Sequence, residues 1–582
     1  MNWAERWAFF VSSTLGTLTA QQEMRPRVAT TLLACSMFLT GASGFIFECI
    51  LSTVATFVLG NSIEQFSVTI SLMMLMMGLA SVLQSRISDR GLIEKFLLVE
   101  ISLAILGGFA PIAVYASYAY MEVHFILVQY LFVLTIGFLI GLEIPLILRL
   151  NKQFVPQLKS NIASIFSTDY VGAFIGAVIW VYVLLKYLPL TEISFLVAGV
   201  NFAVAVVTYG YFSYHGLASR RLVQRAAIGL IAFGLGHGYS QNRTWNDLLE
   251  QRFYNEPIVH SQTTRYQHIV MTARTAPTEY RLYINGNLQF SSLDEHVYHE
   301  LLVHPAMTLA NNRRRVLILG GGDGLALREV LRYNDTVEVT LVDIDPGMIE
   351  FASQDDIMTE LNNAAFDDAR VSAEAASGIT EDPQIRPLYG RATSVGLDPN
   401  DTVEQAALVH VYTVDADKML AHLQGRYDVV IVDLPDPNSV ELVKLYSREF
   451  YFKLHRLLER KGVLAVQSTS PYHAKESFLC ILRTIVSAGY EALPYHDNVP
   501  SFGDWGWILA WNSGQHDSEV RKKVGHLDEF AVDQSQLRYI TPEIFRASVA
   551  FGKNDLVSPN EQVNTLMAPA LLRFYLNESW NR

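Results

Sequence analysis

The sequence predicts an α-helical multi-pass membrane domain followed by an α/β Rossmann-like domain that begins with a small β-meander. Half of the 582 residues are hydrophobic, and the mean hydropathy is +0.21. That excess lies almost wholly before residue 240, in apolar runs of bilayer-spanning length. Beyond it, Arg315-Val316-Leu317-Ile318-Leu319-Gly320-Gly321-Gly322-Asp323-Gly324 reads as an apolar strand entering a glycine turn, with a helix to follow. A second strand, Thr340–Val342, delivers Asp343 about 20 residues downstream, where a ribose-binding acid belongs in such a fold.

Taken in order, the apolar runs are 28–60, 65–85, 95–118, 123–150, 162–187 and 190–213, with Ala226–Gly236 a shorter one that either spans or lies at the interface. Basic residues cluster at Arg25 and Arg27, at Arg86, Arg90 and Lys95, at Arg149, Lys152 and Lys159, and at Arg220, Arg221 and Arg225. They fall in alternate loops, which places those loops and the N-terminus in the cytoplasm. The side on which the second domain lies depends on whether Ala226–Gly236 spans and whether the long first run is a hairpin. Glu48, Glu100, Glu143 and Asp169 interrupt the runs, and acids at membrane depth either mark a cavity or bond to neighbouring helices. Gly172 and Gly176 follow Asp169 at the spacing of a closely packed helix pair, and Pro145 is expected to loosen its helix. Domain boundaries follow: an N-terminal segment (1–27), a membrane domain of six or seven helices (28–240), a linker and β-meander (241–310), the Rossmann-like domain (311–515, with an insertion at 373–409) and a helical tail (516–582).

The net charge of −13 offers no basic stripe for nucleic acid. Three cysteines, Cys35, Cys49 and Cys480, make no disulfide framework. In the second half, Gln262–Ala273, Glu279–Ile284 and Leu288–Ser291 read as strands, the last pair joined by an Asn-Gly turn. Asp294-Glu295 opens the next helix, and Tyr427–Asp433 is a further strand that carries Asp433 and Asp436 to the edge where Asp343 sits. Ligands of doubly wound sheets bind at the carboxyl ends of the strands, so these acids should converge. A glycine turn, a ribose acid and a late acid pair, in that order, indicate an enzyme that uses a nucleotide. The loop Asp433-Leu434-Pro435-Asp436-Pro437 is stiffened by its two prolines.

These motifs, with Asp415-Ala416, resemble the spermidine synthase (polyamine aminopropyltransferase) family over roughly residues 255–515. The opening Phe38-Leu39-Thr40-Gly41-Ala42-Ser43-Gly44 through Glu48 looks like its membrane-embedded subgroup. The resemblance implies a methyltransferase-type Rossmann domain that transfers an aminopropyl group from decarboxylated S-adenosylmethionine to a diamine, with no metal or further cofactor. It makes Asp433 the general base and Asp436 its partner in binding the amine. Gln267, His299 and Asp323 would contact the polyamine or aminopropyl group, and Tyr298 and Gln467 would line the pocket. Asp343 would grip the ribose, Asp415-Ala416 would hold adenine, and Gly320 and Gly322 would form the nucleoside turn. Asp415 has another reading, as the cap of the helix that starts near Ala416, and His299 has one as a satisfied helix histidine. Implied partners are the diamine, the donor, a lipid bilayer and a second copy of the chain, with no nucleic acid. The implied location is the inner membrane, with the catalytic domain in the cytoplasm where the donor is made.

The chain departs from the family pattern at Val440, where relatives place a proline lining the nucleoside pocket. It departs again at Pro500–Trp507, where Phe502 lacks the hydroxyl of an acceptor-facing tyrosine and Asp504 adds an acid. Two other readings stay open: a methyltransferase on the same fold, which would have no need of two acids at 433 and 436, and a polyamine sensor or transporter without turnover.

Overall fold

The computed structural model of the chain describes residues 26–59, 62–121, 124–217, 222–367, 408–512 and 517–578. Residues 1–25, Arg220, Arg221 and all but the last two residues of the expected insertion at 373–409 lie outside the described residues. The chain divides into two compact units, Met1–Asn255 and Glu256–Arg582.

The first unit is helical: α1 (Pro26–Leu59), α2 (Ser62–Leu83), α3 (Leu92–Tyr120), α4 (Phe125–Asn151), α5 (Leu158–Ile179), α6 (Leu190–Tyr214) and α7 (Leu222–Glu250). Six helices are long and apolar enough to cross a membrane by length and composition: Pro26–Leu59, Ile63–Arg86, Leu92–Tyr120, Phe125–Asn151, Leu158–Tyr187 and Leu190–Tyr214. The first run is one continuous helix rather than a hairpin, and α7, which contains Ala226–Gly236, is not among the six. It also runs ten residues past the expected domain end at 240, up to Glu250.

Helix α1 packs against all five other candidate spans. Small residues permit this. A Cβ on Gly172 of α5 would lie 2.1 Å from the Phe38 carbonyl oxygen of α1, and one on Gly176 would lie 2.8 Å from that of Ala42. Gly41 of α1 receives Asp169 in return, with the carboxylate 2.6 Å from where a Cβ would stand. Glu100 of α3 and Glu143 of α4 are fully buried and face one another, with Thr40 beside Glu143. Helix α4 continues through Pro145 without a break.

The second unit opens with an antiparallel meander, β1 (Ile258–Thr263), β2 (His268–Thr275), β3 (Thr278–Ile284) and β4 (Asn287–Ser291). The sequence reading makes Gln262–Ala273 one strand. The chain instead turns at Thr264, whose hydroxyl accepts from the backbone N–H groups of Tyr266 and Gln267. Such a side-chain turn offers the backbone an alternative to the ladder. Asn285 and Gly286 both have positive φ, as a tight hairpin requires.

Helix α8 (Glu295–Leu309) leads into β5 (Arg315–Gly320), α9 (Leu325–Val330), β6 (Glu338–Asp343), α10 (Pro346–Gln354) and α11 (Asp356–Leu361). Then follow β7 (Leu408–Thr413), α12 (Ala416–Leu420), β8 (Tyr427–Asp433), α13 (Val440–Val443), α14 (Arg448–Leu457), β9 (Leu458–Gln467), α15 (Lys475–Ser487), β10 (Tyr490–Val499) and β11 (Gly503–Asn512). The seven strands order as β10-β11-β9-β8-β5-β6-β7, with β5 to β9 parallel and the β10–β11 hairpin antiparallel at one edge. The expected Rossmann-like domain is therefore present. From β5 the chain winds outward through β6 and β7, then returns to lay β8 on the opposite side. The switch point lies between β5 and β8, the position at which such sheets bind ligands.

The tail forms α16 (Asp517–Gly525), α17 (Pro542–Ser548) and α18 (Ala570–Asn577). The sequence pattern suggests helices over 537–548 and 562–577, and α17 and α18 are shorter than these. Thr541 caps α17 with Pro542 in its first turn, and Pro569 precedes α18. Between them Asn564 is buried, donating its amide to the carbonyls of Val443 and Tyr446.

Gly172→Ala should lower the thermal midpoint of the detergent-solubilised protein, since overpacking a close helix contact costs about 1–3 kcal/mol. Gly199→Ala, which nothing approaches within 4 Å, should leave the midpoint unchanged or slightly raised. Intrinsic fluorescence melts of the two variants check this.

Candidate active site

The site begins with three glycines: at Gly320 and Gly322 a Cβ would clash with a neighbour, and Gly320 and Gly321 have positive φ. Gly320 pairs with Asp433 in the β5–β8 register and has φ +83°, and its absent Cβ would fall 1.9 Å from the Asp433 carbonyl oxygen. Gly321 donates its N–H to that same oxygen at 3.2 Å. Gly322 donates to Asp343 Oδ2 at 3.1 Å, and a Cβ there would stand 2.7 Å from the carboxylate. The turn thus ties the ends of β5, β6 and β8 together and brings Asp343 and Asp433 to one edge.

Asp433 ends β8, and its Oδ1 accepts from the Tyr298 hydroxyl at 2.8 Å. Burial pushes its carboxyl up to about 6, with Asp323 adding to the rise while His299 and the Tyr298 bond oppose it. Asp436, three residues on, is engaged differently. Its Oδ2 accepts from the hydroxyls of Tyr575 at 2.8 Å and Thr469 at 3.2 Å, and its Oδ1 lies 3.5 Å from Gln467 Nε2. Burial again raises the carboxyl to about 6 against those three donors. A carboxylate has about four lone-pair sites, so Asp436 keeps roughly one for a ligand, whereas Asp433 keeps most of its own.

Gln467 is buried at the end of β9, where its amide also donates to the Leu434 carbonyl and to Tyr446. Through that bond it fixes the Asp433–Asp436 loop. Thr469 follows with φ +59°, a left-handed conformation that is costly for a β-branched residue and that aims its hydroxyl at Asp436.

His299 is buried on α8, and its Nδ1 bonds to the carbonyl and carboxylate of Glu295 at 2.8 and 3.0 Å. Burial alone would lower its pKa, but the Glu295 bond and charge, with Asp323 and Asp433, outweigh that and carry it to about 9. It is a satisfied helix histidine and also a neighbour of the acids. A ring nitrogen of His299 and carboxylate oxygens of Asp323 and Asp433 lie within 4.8 Å of one another. Those atom types can hold a metal ion, and the two carboxylates can equally accept hydrogen bonds from an organic ammonium. Around Tyr298 stand Phe502, Trp505 and Trp507, with ring centroids 5.7 to 6.4 Å away.

At the end of β6, Asp343 Oδ1 accepts from the N–H of Asp345, and burial raises the Asp343 carboxyl to about 6. Asp415 caps α12 through Lys418 N–H at 3.1 Å, and its second oxygen meets Lys444 at 2.5 Å. Burial would raise its carboxyl, but Lys444 and the cap hold it low. Ala416 is buried behind it. Gln267 hydrogen-bonds to Asp345. Asp504 is bonded to His496 at 2.7 Å, and Val440 is exposed at the start of α13.

The spermine/spermidine synthase domain family matches residues 295–381 and 399–523. Polyamine aminopropyltransferase 1 of Streptomyces coelicolor is 36% identical over 564 residues, covering 95% of each chain. The polyamine aminopropyltransferase of Oceanobacillus iheyensis is 34% identical over 92% of this chain and 95% of its own. The chain belongs to the spermine/spermidine synthase family. The Leptospira interrogans polyamine aminopropyltransferase is 33% identical over 95% of this chain and 99% of its own. A crystal structure of spermidine synthase with the transition-state analogue AdoDATO aligns at TM-score 0.41 and 22% identity, over 51% of this chain and 88% of that chain.

Sequence reasoning missed Tyr575, Thr469, Glu295 and Lys444. Only Glu295 carried a signal, as the acid of a helix first turn. Tyr575 lies 139 residues from Asp436 and beyond the matched family domain.

Three carboxyls at about 6 stand above their ordinary value of about 3.9. The folded state therefore takes up protons more readily than the unfolded one, and stability should rise as pH falls through 6. The thermal midpoint of the unliganded protein is expected to be higher at pH 5.5 than at pH 7.5. Asp433→Asn combined with Asp436→Asn should flatten most of that dependence.

Proposed function

We propose that this chain transfers the aminopropyl group of decarboxylated S-adenosylmethionine to a diamine, putrescine or a related amine, giving spermidine or a related polyamine and methylthioadenosine. The observation that carries the reading is the pair Asp433 and Asp436, enclosed at the switch point with different numbers of open lone pairs. The donor carries a sulfonium, whose adjacent methylene carbon is open to displacement. An acceptor ammonium has no lone pair and must lose a proton before it attacks. Asp436, held by three donors, anchors the amine by a charge-assisted hydrogen bond. Asp433 takes the proton, the freed nitrogen pair forms the new C–N bond, and the C–S pair returns to sulfur as a neutral thioether. Asp343 and Asp415 face the nucleoside, and Gly320 to Gly322 admit it. Much of the acceleration is positioning, since the protein forms no bond to the reactants.

Tyr575 supplies a hydroxyl at the acceptor acid, where Phe502 has none, so the acceptor end is shaped by the tail as well as by the β10–β11 hairpin.

The six apolar helices support a multi-pass membrane location. With an even number of spans and a cytoplasmic N-terminus by loop charge, the catalytic unit faces the cytoplasm, where the donor is made.

Incubation of the solubilised protein with the donor and a panel of diamines, read by mass spectrometry, should give methylthioadenosine with at least one acceptor. Absence of product with every amine would overturn the reading. Asp433→Asn should lower turnover by about 10²–10⁴-fold, the usual worth of a general base, while calorimetry shows donor binding unchanged. Tyr575→Phe removes one hydroxyl donor from the Asp436 carboxylate, a bond to a charged group worth about 1.5–3 kcal/mol. It should raise the acceptor KM about tenfold or more and leave the donor KM unchanged.

A further inference from the structure

Glu295 lies in the first turn of α8, buried, and takes no part in the reaction just described. Its Oε2 accepts from His299 Nδ1 at 3.0 Å and from Arg328 Nη2 at 2.8 Å, and its Oε1 accepts from Arg328 Nη1 at 3.1 Å. The Arg328 fork is itself immobilised, because Nε donates to Glu329 at 2.8 Å and Nη1 to the Leu361 carbonyl at 2.6 Å. Glu329 in turn receives His304 Nε2 at 3.0 Å, and His304 Nδ1 meets the Tyr333 hydroxyl. The result is a buried chain of alternating charge that runs from α9 into α8 and ends at the His299 ring. With Nδ1 held by Glu295, the nitrogen left for Asp323 and Asp433 is Nε2.

A histidine beside two carboxylates can adopt either tautomer or carry both protons, and only the last puts a cation against Asp433. We propose that Glu295 is a positioning residue for aminopropyl transfer: it fixes the His299 ring and maintains there a permanent positive charge that keeps Asp433 anionic and ready to accept the amine proton. This rests on the aminopropyltransferase reading above and deepens it.

The electrostatic surroundings agree. The groups facing Asp433 are His299 and Tyr298 from α8, Asp323 from the glycine turn and Tyr446 from the segment before α14. His299 is the single cation among them. Facing His299 are Glu295, Asp323 and Asp433. Around Glu295 stand Arg328, His299, His296 and Arg538. Glu295 is held down at about 2 despite its burial, so it stays ionised throughout the working range. Without it, burial would neutralise the ring, and Asp433 would face Asp323 with no opposing cation.

The test is the pH dependence of kcat/KM for the full chain in detergent, read by methylthioadenosine release. In Glu295→Gln the amide can still accept from Nδ1, but the charge is gone. Its acid limb should move up by about one pH unit, the usual effect of losing an opposite charge at this range. Glu295→Asp should restore the limb in part. His299→Gln should shift it by the same amount, and the Glu295→Gln, His299→Gln double variant should shift it no further. A merely structural Glu295 would lower activity evenly at all pH values. An unmoved acid limb in either single variant, or additive shifts in the double, overturns the proposal. If Glu295→Gln does not fold, His299→Gln decides, since it leaves the Arg328 pair intact. Wild-type chain that releases no methylthioadenosine would instead defeat the underlying reading, an outcome that the same assay separates from an unmoved limb.

Discussion

Two carboxylates enclosed at one sheet edge, with few cations to answer them, govern the catalytic unit. Removing a carboxylate from water costs free energy unless a charge or several donors compensate. Asp433 and Asp436 are compensated only in part, and both sit near 6 in consequence. On the aminopropyltransferase reading, the sulfonium of the donor and the ammonium of the acceptor would complete the balance. The surrounding structure holds the two acids in place. The glycine turn clasps the Asp433 carbonyl, Gln467 clasps that of Leu434, and the prolines at 435 and 437 stiffen what lies between.

Within that cleft, two acids three residues apart are made unlike by their partners. Three side-chain donors surround Asp436, one hydroxyl touches Asp433, and the imidazole of His299 adds charge without consuming the same lone pairs. Equal burial thus leaves two acids with unequal capacity for a further donor. Trp505 and Trp507 stand beside the Tyr298 ring, and aromatic faces suit a methylene chain with a cation at its end.

What was legible in the sequence was local. The glycine turn, Asp343 at the end of one strand and Asp433 at the end of another follow from short patterns. The parallel sheet then forces them together, and the Gly172–Gly176 pair in the helical unit was equally plain. Contacts made by folding distant segments were not legible. Gln267 is expected at the amine, and no short pattern foretells that the Thr264 turn also brings its amide to Asp345. Asp504 reads only as an added acid, and its bond to His496 comes from the pairing of β10 with β11. Asp415 was given two readings, and the structure shows the cap together with an unforeseen partner, Lys444. No periodicity announces that a tyrosine at 575 will reach an acid at 436.

That last contact alters where the functional unit ends. The family domain match stops at residue 523, and by motif alone the tail would be an accessory. The tail is nevertheless anchored at several points along its course. Glu300 of α8 accepts from the backbone N–H groups of Arg538, Tyr539 and Ile540. Asn564 satisfies two carbonyls beneath α14, and the Glu578 carboxylate binds the first N–H groups of α15, where an acid answers the helix dipole. These anchors leave α18 little freedom, and the Tyr575 hydroxyl is placed by them rather than by chance contact. A hydroxyl so placed occupies one of the lone-pair sites of the Asp436 carboxylate. The acid pair belongs to the sheet edge, and one of its two members is completed by a segment more than a hundred residues away from it in sequence.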